Sequence, residues 1–372
     1  MRVVMFIHSL QSGGAERVTA NLANHWAAKG WKVSVVTIAG VEQDFYQLHP
    51  SVKRIALNLA GGSSSPWQAI SNNLYRICAL RKVLREEQPA IALSMMAIAN
   101  ILLGWARWGL PQIAAIGSER VHPPCLPLGR VWENLRIISY GHLDALVAQT
   151  KESADWIKTH TSSRHVAVIP NAVNWPLSTQ VPICAPDSIG DCQARRLLSV
   201  GRLDSQKGFD LLIAAFSCLA QNHTDWELVI LGEGPLRETL QAQIDKAGIA
   251  DRVFLPGRVG NMTEWYQHAD LYVMSSRFEG FPNALVEAMA HGLPTISFDC
   301  DTGPRDIIRH EVDGLLVEPE NINGLEKALA VLMSNPELRA RYAERAVEIR
   351  NRFSIESISS MWEAQFVEAG KV

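Results

Sequence analysis

Residues 277–292 read RFEGFPNALVEAMAHG, a stretch typical of a loop that turns into a helix. Pro282 suits a first helical turn, because its missing N–H would have no partner there anyway. Gly292 is placed to end the helix in the left-handed conformation, and Pro294 follows it. Apolar residues recur at helical spacing on one face between these two ends. They are Ala284, Leu285, Ala288 and Met289.

Two carboxylates flank this turn, Glu279 in the loop and Glu287 inside the helix. At the helical rise they lie at most roughly 12 Å apart, which is too far for a shared acid–base pair. The spacing suits contacts with two ends of one elongated ligand, and the free N–H groups and dipole at the helix start favour an anion. The pattern therefore favours a nucleotide-sugar site. A solvated helix with surface glutamates would also fit it.

The composition is that of a globular protein. The chain has 372 residues, 47% hydrophobic and 20% charged, and this length favours two domains. No apolar run is long enough for a transmembrane helix, and the start MRVVMFIHSL lacks a signal-peptide cleavage site. The cysteines form no CxxC or Cys/His cluster, which predicts a reducing cytoplasm and no structural metal. They are Cys78, Cys125, Cys184, Cys192, Cys218 and Cys300.

Charge is distributed unevenly along the chain. The net charge is −3, but residues 1–180 carry +7 and the remainder carries −10. The first half is therefore expected to face an anionic membrane surface or a phosphate-bearing substrate, and nucleic acid ranks last because no nucleic-acid motif is present. A basic helix in this half could face the membrane, although such a charge run is often only a solvated face. Its cations are Arg76, Arg81, Lys82 and Arg85.

Short apolar runs alternate with helical patterns along the whole chain. This alternation predicts an α/β protein with parallel, doubly wound sheets in both halves. Residues 1–174 are expected to form the first domain and residues 194–352 the second. The stretch 175–193 contains prolines without periodicity and is interpreted as the linker. Residues 353–372 are expected to form a terminal helix that packs back toward the first domain.

Three polar loops follow predicted strands and are candidates for ligand contact. Residues 8–17, HSLQSGGAER, could bring backbone N–H groups to a phosphate, but neither GxGxxG nor GK[ST] is present. Residues 201–209, GRLDSQKGF, place Arg202 and Lys207 before a helix, which suits a diphosphate. Residues 118–124, SERVHPP, lie at the strand edge where open α/β sheets bind ligands.

Four loops, SGGAER, GRLDSQKG, LGEGP and EGFPNALVEAMAHGLP, resemble in order and spacing those of glycosyltransferase family 4, the retaining enzymes of GT-B architecture. The resemblance covers essentially the whole chain. The first half looks closest to bacterial members that extend polyprenyl-diphosphate-linked glycans, such as the N-acetylgalactosamine polymerising transferase of protein N-glycosylation. The resemblance implies two Rossmann-like domains facing across a cleft, a UDP-sugar donor that supplies a hexose or an N-acetylhexosamine, and a lipid-linked acceptor. It also implies a cytoplasmic enzyme associated peripherally with the inner face of the membrane.

The resemblance assigns roles to individual residues. Arg202 and Lys207 would bind the donor diphosphate. Glu279 would contact the transferred sugar, and Glu287 would hold the ribose hydroxyls. The other implied donor-binding residues are Gly232, Glu233, Arg258, Val259, Phe281, Pro282 and Asn283. Those implied at the acceptor junction are Ser12, Gly13, Gly14, Arg120 and His122.

One departure from the family concerns Arg120, because relatives often carry a histidine at its position. Either Arg120 substitutes in sugar or phosphate contact, or His122 takes part; the sequence leaves both open. The family mechanism implies that the leaving group departs on the face that the acceptor attacks, with Arg202 and Lys207 stabilising the diphosphate. No metal is expected, and the DxD-type sequence at residues 299–301 is interpreted as a coincidence.

Two other functions would fit the same architecture. A nucleotide-sugar epimerase would share the donor site but need neither an acceptor nor a membrane face, and the basic first half argues against it. A non-catalytic nucleotide-sugar sensor would not need all four of Arg202, Lys207, Glu279 and Glu287. A dehydrogenase is disfavoured because GxGxxG is missing.

Overall fold

The computed structural model describes residues 1–11, 13–62, 64–173 and 175–370 of the chain. They fall into two compact units. The first is formed by Met1–Ala172 and the chain from Ile355 onward, and the second by Val173–Ser354. Within the described ranges, every helix is too short or too polar to cross a membrane.

Strands and helices alternate along both units. In chain order the strands of the described residues are β1 (Arg2–Ile7), β2 (Lys32–Thr37), β3 (Lys53–Ala56), β4 (Ile91–Met95), β5 (Ala114–Ser118), β6 (Ala145–Ala148), β7 (Val166–Val168), β8 (Arg195–Val200), β9 (Trp226–Leu231), β10 (Val253–Gly257), β11 (Leu271–Met274), β12 (Thr295–Phe298) and β13 (Gly314–Val317). The α-helices are α1 (Gly14–Ala28), α2 (Pro66–Glu87), α3 (Ala97–Ala106), α4 (Arg130–Ser139), α5 (Lys151–His160), α6 (Phe209–Leu219), α7 (Arg237–Lys246), α8 (Met262–Gln267), α9 (Asn283–Ala290), α10 (Pro304–Ile307), α11 (Ile322–Ser334), α12 (Pro336–Ala346), α13 (Ile349–Arg352) and α14 (Ile355–Glu368).

The sheet of the first unit has the order β3-β2-β1-β4-β5-β6-β7, and its neighbouring strands are parallel. β4 and β5 are buried along their whole length, which explains why their sequences are apolar runs rather than alternating patterns. The chain moves outward from β1 to β3 and then returns to β4 on the other side. A crevice therefore opens at the carboxyl ends of β1 and β4, where such sheets bind ligands.

The helix α14 completes the first unit by packing against α1. The Trp26 and Phe366 rings lie 5.3 Å apart, and both side chains are fully buried. Trp26 Nε1 donates to Ser359 Oγ at 3.0 Å, and Lys29 pairs with Glu363 at 2.7 Å. Aromatic burial dominates this contact, since an exposed ion pair contributes little.

The sheet of the second unit has the order β10-β9-β8-β11-β12-β13 and is also parallel. The prediction of two doubly wound parallel-sheet α/β domains is therefore confirmed. The switch point of this sheet lies between β8 and β11, because the chain proceeds from β8 to β9 and β10 on one side and then crosses to β11 on the other.

The stretch 175–193, expected to be a linker, is bound to the second unit by hydrogen bonds. Gln180 N donates to Gly260 O at 3.0 Å, and Gly260 N donates to Pro182 O at 2.6 Å. Trp265 Nε1 donates to Cys184 O at 3.0 Å. The stretch shows no helical or strand periodicity because its backbone pairs with a loop. It is irregular in sequence but is held in place against the second unit.

Candidate functional site

The loops that follow β8 and β11 meet at the switch point of the second unit. Arg277 N donates to Gln206 O at 2.8 Å, which joins the two loops through their backbones. Ser275 Oγ adds a hydrogen bond to Lys207 O at 2.9 Å. The predicted diphosphate loop and the 277–292 stretch are therefore brought together, although they are distant in sequence.

Lys207 and Glu279 form an ion pair across these loops. Lys207 Nζ donates to Glu279 Oε1 at 2.6 Å, and Ser276 Oγ donates to the same oxygen at 2.6 Å. Glu279 is only 6% exposed, and Thr302 Oγ1 donates to its backbone carbonyl. The arrangement places a fixed cation directly beside a fixed carboxylate, so one ligand could contact both.

Arg202 lies in the same loop but outside this ion pair. Its side chain is 71% exposed, and its Nε donates to Asp204 Oδ2 at 2.7 Å. Asp204 also accepts a hydrogen bond from Lys207 N at 3.3 Å, so it shapes the turn that carries both cations. Asp204 is absent from the residues predicted from sequence, although an aspartate in a glycine-bounded loop is typical of a residue that caps a turn.

Gly232 allows two loops to approach closely at the carboxyl edge of β9. Its φ is +143°, and a Cβ built there would lie 1.8 Å from the carbonyl oxygen of Gly201. Only glycine fits, so the predicted donor-binding loop lies against the loop that carries Arg202. The neighbouring Glu233 forms an ion pair with Arg237 at 3.0 Å.

Arg258 and Val259 directly follow β10, beside the carboxyl end of β9. Arg258 is exposed and Val259 is half-buried. Both lie on the predicted donor side of the unit, but no described contact joins them to the Lys207–Glu279 pair.

The helix α9 begins at Asn283, so the expectation that Pro282 opens its first turn is wrong by one position. Pro282 is the N-cap residue with extended backbone (φ −77°, ψ 94°), a conformation that the proline ring allows. Phe281 is buried, with its ring 5.5 Å from that of Phe353. Gly292 takes the left-handed conformation with φ +82°, as the sequence predicts.

The two glutamates of this stretch are both buried, which rules out the solvated-helix interpretation. Glu287 is 5% exposed and accepts a hydrogen bond from the Tyr266 hydroxyl at 3.3 Å. Burial raises the pKa of Tyr272 on β11 well above its usual range, and the charges of Glu279 and Glu287 raise it further. Glu287 lies on α9, the helix that directly follows the loop carrying Glu279.

In the first unit, Gly13 precedes α1 and Gly14 is the first helical residue. The Gly13 carbonyl accepts a hydrogen bond from the Tyr46 hydroxyl at 3.1 Å. Burial raises the pKa of the Glu16 carboxyl in the first helical turn. Ser12, the remaining candidate of this loop, lies outside the described residues.

Arg120 and His122 follow β5, and both are buried. Arg120 Nη1 donates to Ser118 Oγ at 3.2 Å, and Nη2 donates to Asn171 Oδ1. Burial lowers the pKa of Arg120 to about 9. His122 Nδ1 lies 2.9 Å from Ser153 Oγ, which fixes its ring against α5. Both candidates that the sequence left open are therefore ordered at the carboxyl edge of the first sheet.

Gln149 and Asn171 belong to this edge but were missed in the sequence. Gln149 follows β6 directly, and Asn171 lies three residues beyond β7. Gln149 Nε2 donates to Asn171 Oδ1 at 2.8 Å. Each of these polar residues closely follows an apolar run that forms a strand. In a parallel sheet such a residue lies at the carboxyl edge, where ligands bind, and this pattern could have identified both.

The DxD-type sequence does not form a metal-ligand cluster in the structure. Asp299 pairs with Arg305 at 3.0 Å, and Cys300 is buried. Burial raises the pKa of the Cys300 thiol to about 12. Across the described ranges, no three His, Cys, Asp or Glu residues group so as to hold a metal ion.

Two family models match the chain. Glycosyltransferase Family 4 matches residues 12–174, and Glycosyl transferases group 1 matches residues 192–348. An uncharacterised glycosyltransferase of Haemophilus influenzae is 28% identical over 371 residues, which cover 97% of this chain and 98% of the relative.

A Campylobacter jejuni relative is 28% identical over 363 residues, with 97% of each chain covered. It is named GalNAc-alpha-(1->4)-GalNAc-alpha-(1->3)-diNAcBac-PP-undecaprenol alpha-1,4-N-acetyl-D-galactosaminyltransferase. The structure of Anabaena Alr3699/HepE in complex with UDP superposes with a TM-score of 0.79 at 16% identity and covers 99% of this chain and 100% of that chain.

The two family models follow one another and together span most of the chain. Each falls on one of the two parallel sheets, and the switch-point loops of the second sheet lie inside the group 1 match. The chain belongs to the glycosyltransferases of GT-B architecture, with a Family 4 domain followed by a group 1 domain.

Proposed function

We propose that the protein is a retaining glycosyltransferase that moves a hexose or an N-acetylhexosamine from a UDP-sugar to a polyprenyl-diphosphate-linked glycan. The observation that carries the proposal is the Lys207–Glu279 ion pair at the switch point of the second sheet, with Glu287 buried on the helix that follows this loop. The name of the Campylobacter relative supports the acceptor class, and the UDP bound to the Anabaena protein supports the donor class.

The chemistry follows from which groups are fixed and which are free to move. Lys207 is held beside Glu279, so its ammonium would face the donor diphosphate without reorganisation. Arg202 is exposed and would close on the same phosphates when the donor binds. Glu279 would then accept a hydrogen bond from a hydroxyl of the transferred sugar. Two cations beside the departing diphosphate would stabilise its charge, so we expect transfer without a metal.

Retention follows if the acceptor attacks the face that the diphosphate leaves. The proton of the acceptor hydroxyl would then pass to an oxygen of the departing phosphate, and no carboxylate nucleophile would be required. Glu279 is buried and engaged by two donors, so we assign it to binding and orientation of the sugar rather than to covalent catalysis.

Transfer to a defined acceptor tests this proposal. A panel of labelled UDP-sugars would be incubated with an undecaprenyl-diphosphate-linked oligosaccharide, with and without EDTA, and the anomeric configuration of the product read by NMR. An α-linked product from an α-donor in the presence of EDTA is expected. Epimerised sugar from the donor alone would indicate an epimerase, and donor binding without any conversion would indicate a sensor.

The proposal includes peripheral attachment to an anionic membrane through the first unit. Two of the four cations on α2 bind backbone carbonyls and are therefore not available to bind lipid headgroups. Arg76 donates to Leu59 O and Gly61 O, and Arg81 donates to Ala106 O and Trp108 O. Lys82 and Arg85 are exposed and remain as candidates.

Exposed apolar side chains on α2 add to this surface. Trp67, Ile70 and Leu74 are 81%, 55% and 56% exposed. Their spacing places them on one face over the first two turns of the helix. Tryptophan beside aliphatic residues is typical of a helix that inserts into the interfacial layer of a membrane. We define Trp67, Ile70 and Leu74 as the α2 apolar stripe.

A further inference from the structure

Three polar side chains converge where three neighbouring strands of the first unit end. Arg120, Gln149 and Asn171 follow β5, β6 and β7 and are 6%, 5% and 3% exposed. Asn171 Oδ1 accepts from both Arg120 Nη2 and Gln149 Nε2. We call these three residues the β5–β7 polar cluster. It lies at the carboxyl edge of a parallel sheet, the edge where such folds bind ligands.

The charge of this cluster is not balanced within the described residues. No carboxylate there forms an ion pair with Arg120, and its Nε has no acceptor. Gln149 Oε1 likewise has no donor. The adjacent carboxylate, Glu119, is engaged elsewhere, because it accepts the Tyr140 hydroxyl and pairs with Arg136 at 3.5 Å. A buried cation without a counter-charge costs free energy that the fold must supply from other contacts.

Arg136 shows how the same unit treats a buried arginine with a structural role. Arg136 is 2% exposed and pairs with both Glu119 and Glu133, the latter at 3.0 Å. The Nε of both arginines has no hydrogen-bond acceptor among the described residues, but only Arg136 has carboxylate partners within ion-pair distance. The counter-charge of Arg120 is expected to come from outside the chain.

We propose that the β5–β7 polar cluster binds an oxyanion of the acceptor, with Arg120 as the group that pairs with its charge. The proposal rests on the proposed function, which supplies a lipid-linked acceptor as the substrate of this unit. Two parts of such an acceptor have the required chemistry. One is the diphosphate that joins the lipid to the glycan, and the other is the carboxylate of an acidic sugar. A desolvated guanidinium binds either as a charge-assisted pair.

The test compares R120M with R136M, since both replace a buried arginine by an apolar side chain of similar length. R120M removes an unbalanced charge, so its melting temperature should equal or exceed that of the wild-type chain. R136M removes the partner of buried Glu119, so its melting temperature should fall. A larger fall for R120M than for R136M would show that Arg120 is structural and would overturn the proposal.

Anion titration provides a readout that does not need turnover. Calorimetry with inorganic pyrophosphate and with glucuronate is run in the presence of saturating UDP, which occupies the proposed donor diphosphate site at Arg202 and Lys207. It should then detect one binding site in the wild-type chain that R120M lacks and R120K retains in weakened form. Loss of the pyrophosphate site alone identifies the diphosphate as the ligand, and loss of the glucuronate site alone identifies an acidic sugar. Identical titrations of wild type and R120M with both anions would overturn the proposal.

Acceptor kinetics separate this inference from the proposed function. In R120M the KM for the lipid-linked acceptor should rise about tenfold or more, while the KM for the UDP-sugar stays within twofold. A wild-type chain that transfers to no lipid-linked acceptor would contradict the proposed function. A wild-type chain that transfers, together with an R120M variant whose acceptor KM is unchanged, would contradict only the role of Arg120. If neither R120M nor R136M folds, the kinetic comparison is made with R120K, whose KM for the acceptor should also rise.

Discussion

Lys207 Nζ donates to Glu279 Oε1 at 2.6 Å, although 72 residues separate them in the chain. This ion pair joins the loop after β8 to the loop after β11 at the switch point of the second sheet. Lys207 is paired with a buried carboxylate, because Glu279 is buried. The second predicted cation, Arg202, has an exposed side chain. The two cations should therefore have similar effects on transfer but different effects on stability.

We expect K207A and R202A each to lower transfer by on the order of 10²-fold or more, because each removes a charge contact to the departing diphosphate. K207A should also lower the free energy of unfolding by about 1–3 kcal/mol, since among the described residues the Ser276 hydroxyl is then the one side-chain donor left to buried Glu279. R202A should lower the free energy of unfolding by less than about 0.5 kcal/mol, as substitutions of exposed side chains usually do. UDP-sugar turnover and urea unfolding measure the two effects.

The double variant K207A/E279Q is the matched control. It removes the stranded charge, so stability should recover relative to K207A while transfer stays low. Near-normal transfer by folded K207A would remove Lys207 from the reaction, and the same result for R202A would remove Arg202.

Glu287 and Glu279 should act on different kinetic constants. E287A is expected to raise the KM for the UDP-sugar with little change in kcat, because a ribose contact is the same in the ground state and the transition state. E279A is expected mainly to lower kcat, because it contacts the reacting sugar. Y266F, which removes the hydroxyl that donates to Glu287, should give a smaller KM effect of the same kind. Equal effects of E287A and E279A on KM alone would contradict this division.

Gly232 is predicted to be intolerant of any side chain. G232A places a Cβ 1.8 Å from the Gly201 carbonyl oxygen, so one loop must move. G248A is the control, because Gly248 also has a positive φ, of +68°, but its Cβ would meet no atom within 4 Å. We expect G248A to cost about 1 kcal/mol of unfolding free energy and G232A to cost at least about 2 kcal/mol more. Similar urea midpoints for the two variants would contradict the close approach.

The strand–helix alternation of the fold could be predicted because buried parallel strands are apolar runs with glycine or polar loops behind them. β13, at residues Gly314–Val317, was not predicted. Three of its four residues are half-buried, and it is held by pairing with β12 at the sheet edge. The turn before it is fixed by the Arg309–Asp313 ion pair at 2.6 Å. Neither interaction leaves a periodic signal in the sequence.

The site could be predicted as single loops but not as contacts. Lys207 and Glu279 were each identified, yet their ion pair depends on β8 and β11 being neighbours, which local patterns do not report. The burial of Arg120 could not be predicted from the sequence either, because polar loops are usually exposed. Arg76 and Arg81 were interpreted as surface charge, whereas the structure uses both to bind backbone carbonyls.

Stability at low pH should depend on Asp210, whose carboxylate supports the loop that carries Glu279. Both guanidinium Nη atoms of Arg277 donate to Asp210, at 2.9 and 2.7 Å, and these hydrogen bonds hold the pKa of Asp210 below its usual value although burial opposes them. The contribution is complete above the unfolded-state pKa of about 3.9 and is lost as pH falls through the lower folded-state pKa.

The free energy of unfolding of D210N should therefore lie furthest below that of wild type near pH 5–6 and approach it as pH falls below about 4. Urea unfolding across this range measures the difference. R277Q removes the other half of the pair, so D210N/R277Q should be no less stable than R277Q alone. A difference between wild type and D210N that stays constant with pH would contradict the assigned cause.

The last prediction concerns the membrane, which the first unit is proposed to contact through α2. Vesicles that contain anionic lipid should co-sediment the protein, and binding should fall as salt rises, because each exposed cation near the surface contributes about 1 kcal/mol. K82Q/R85Q should weaken binding and make it depend less steeply on lipid charge and on salt, without the structural damage expected from changing Arg76 or Arg81.

The α2 apolar stripe should supply the part of the binding that salt does not remove. W67S/I70S/L74S is expected to lower vesicle binding at high salt by at least tenfold, because it removes three exposed apolar side chains that could enter the interfacial layer. W108S is the matched control, since Trp108 is also 63% exposed but lies on the segment after α3. If W108S lost vesicle binding and the stripe variant kept it, the membrane contact would lie on the segment after α3 instead of on α2. Full transfer to a water-soluble acceptor with no vesicle binding by the wild-type chain would instead remove the membrane from the proposal.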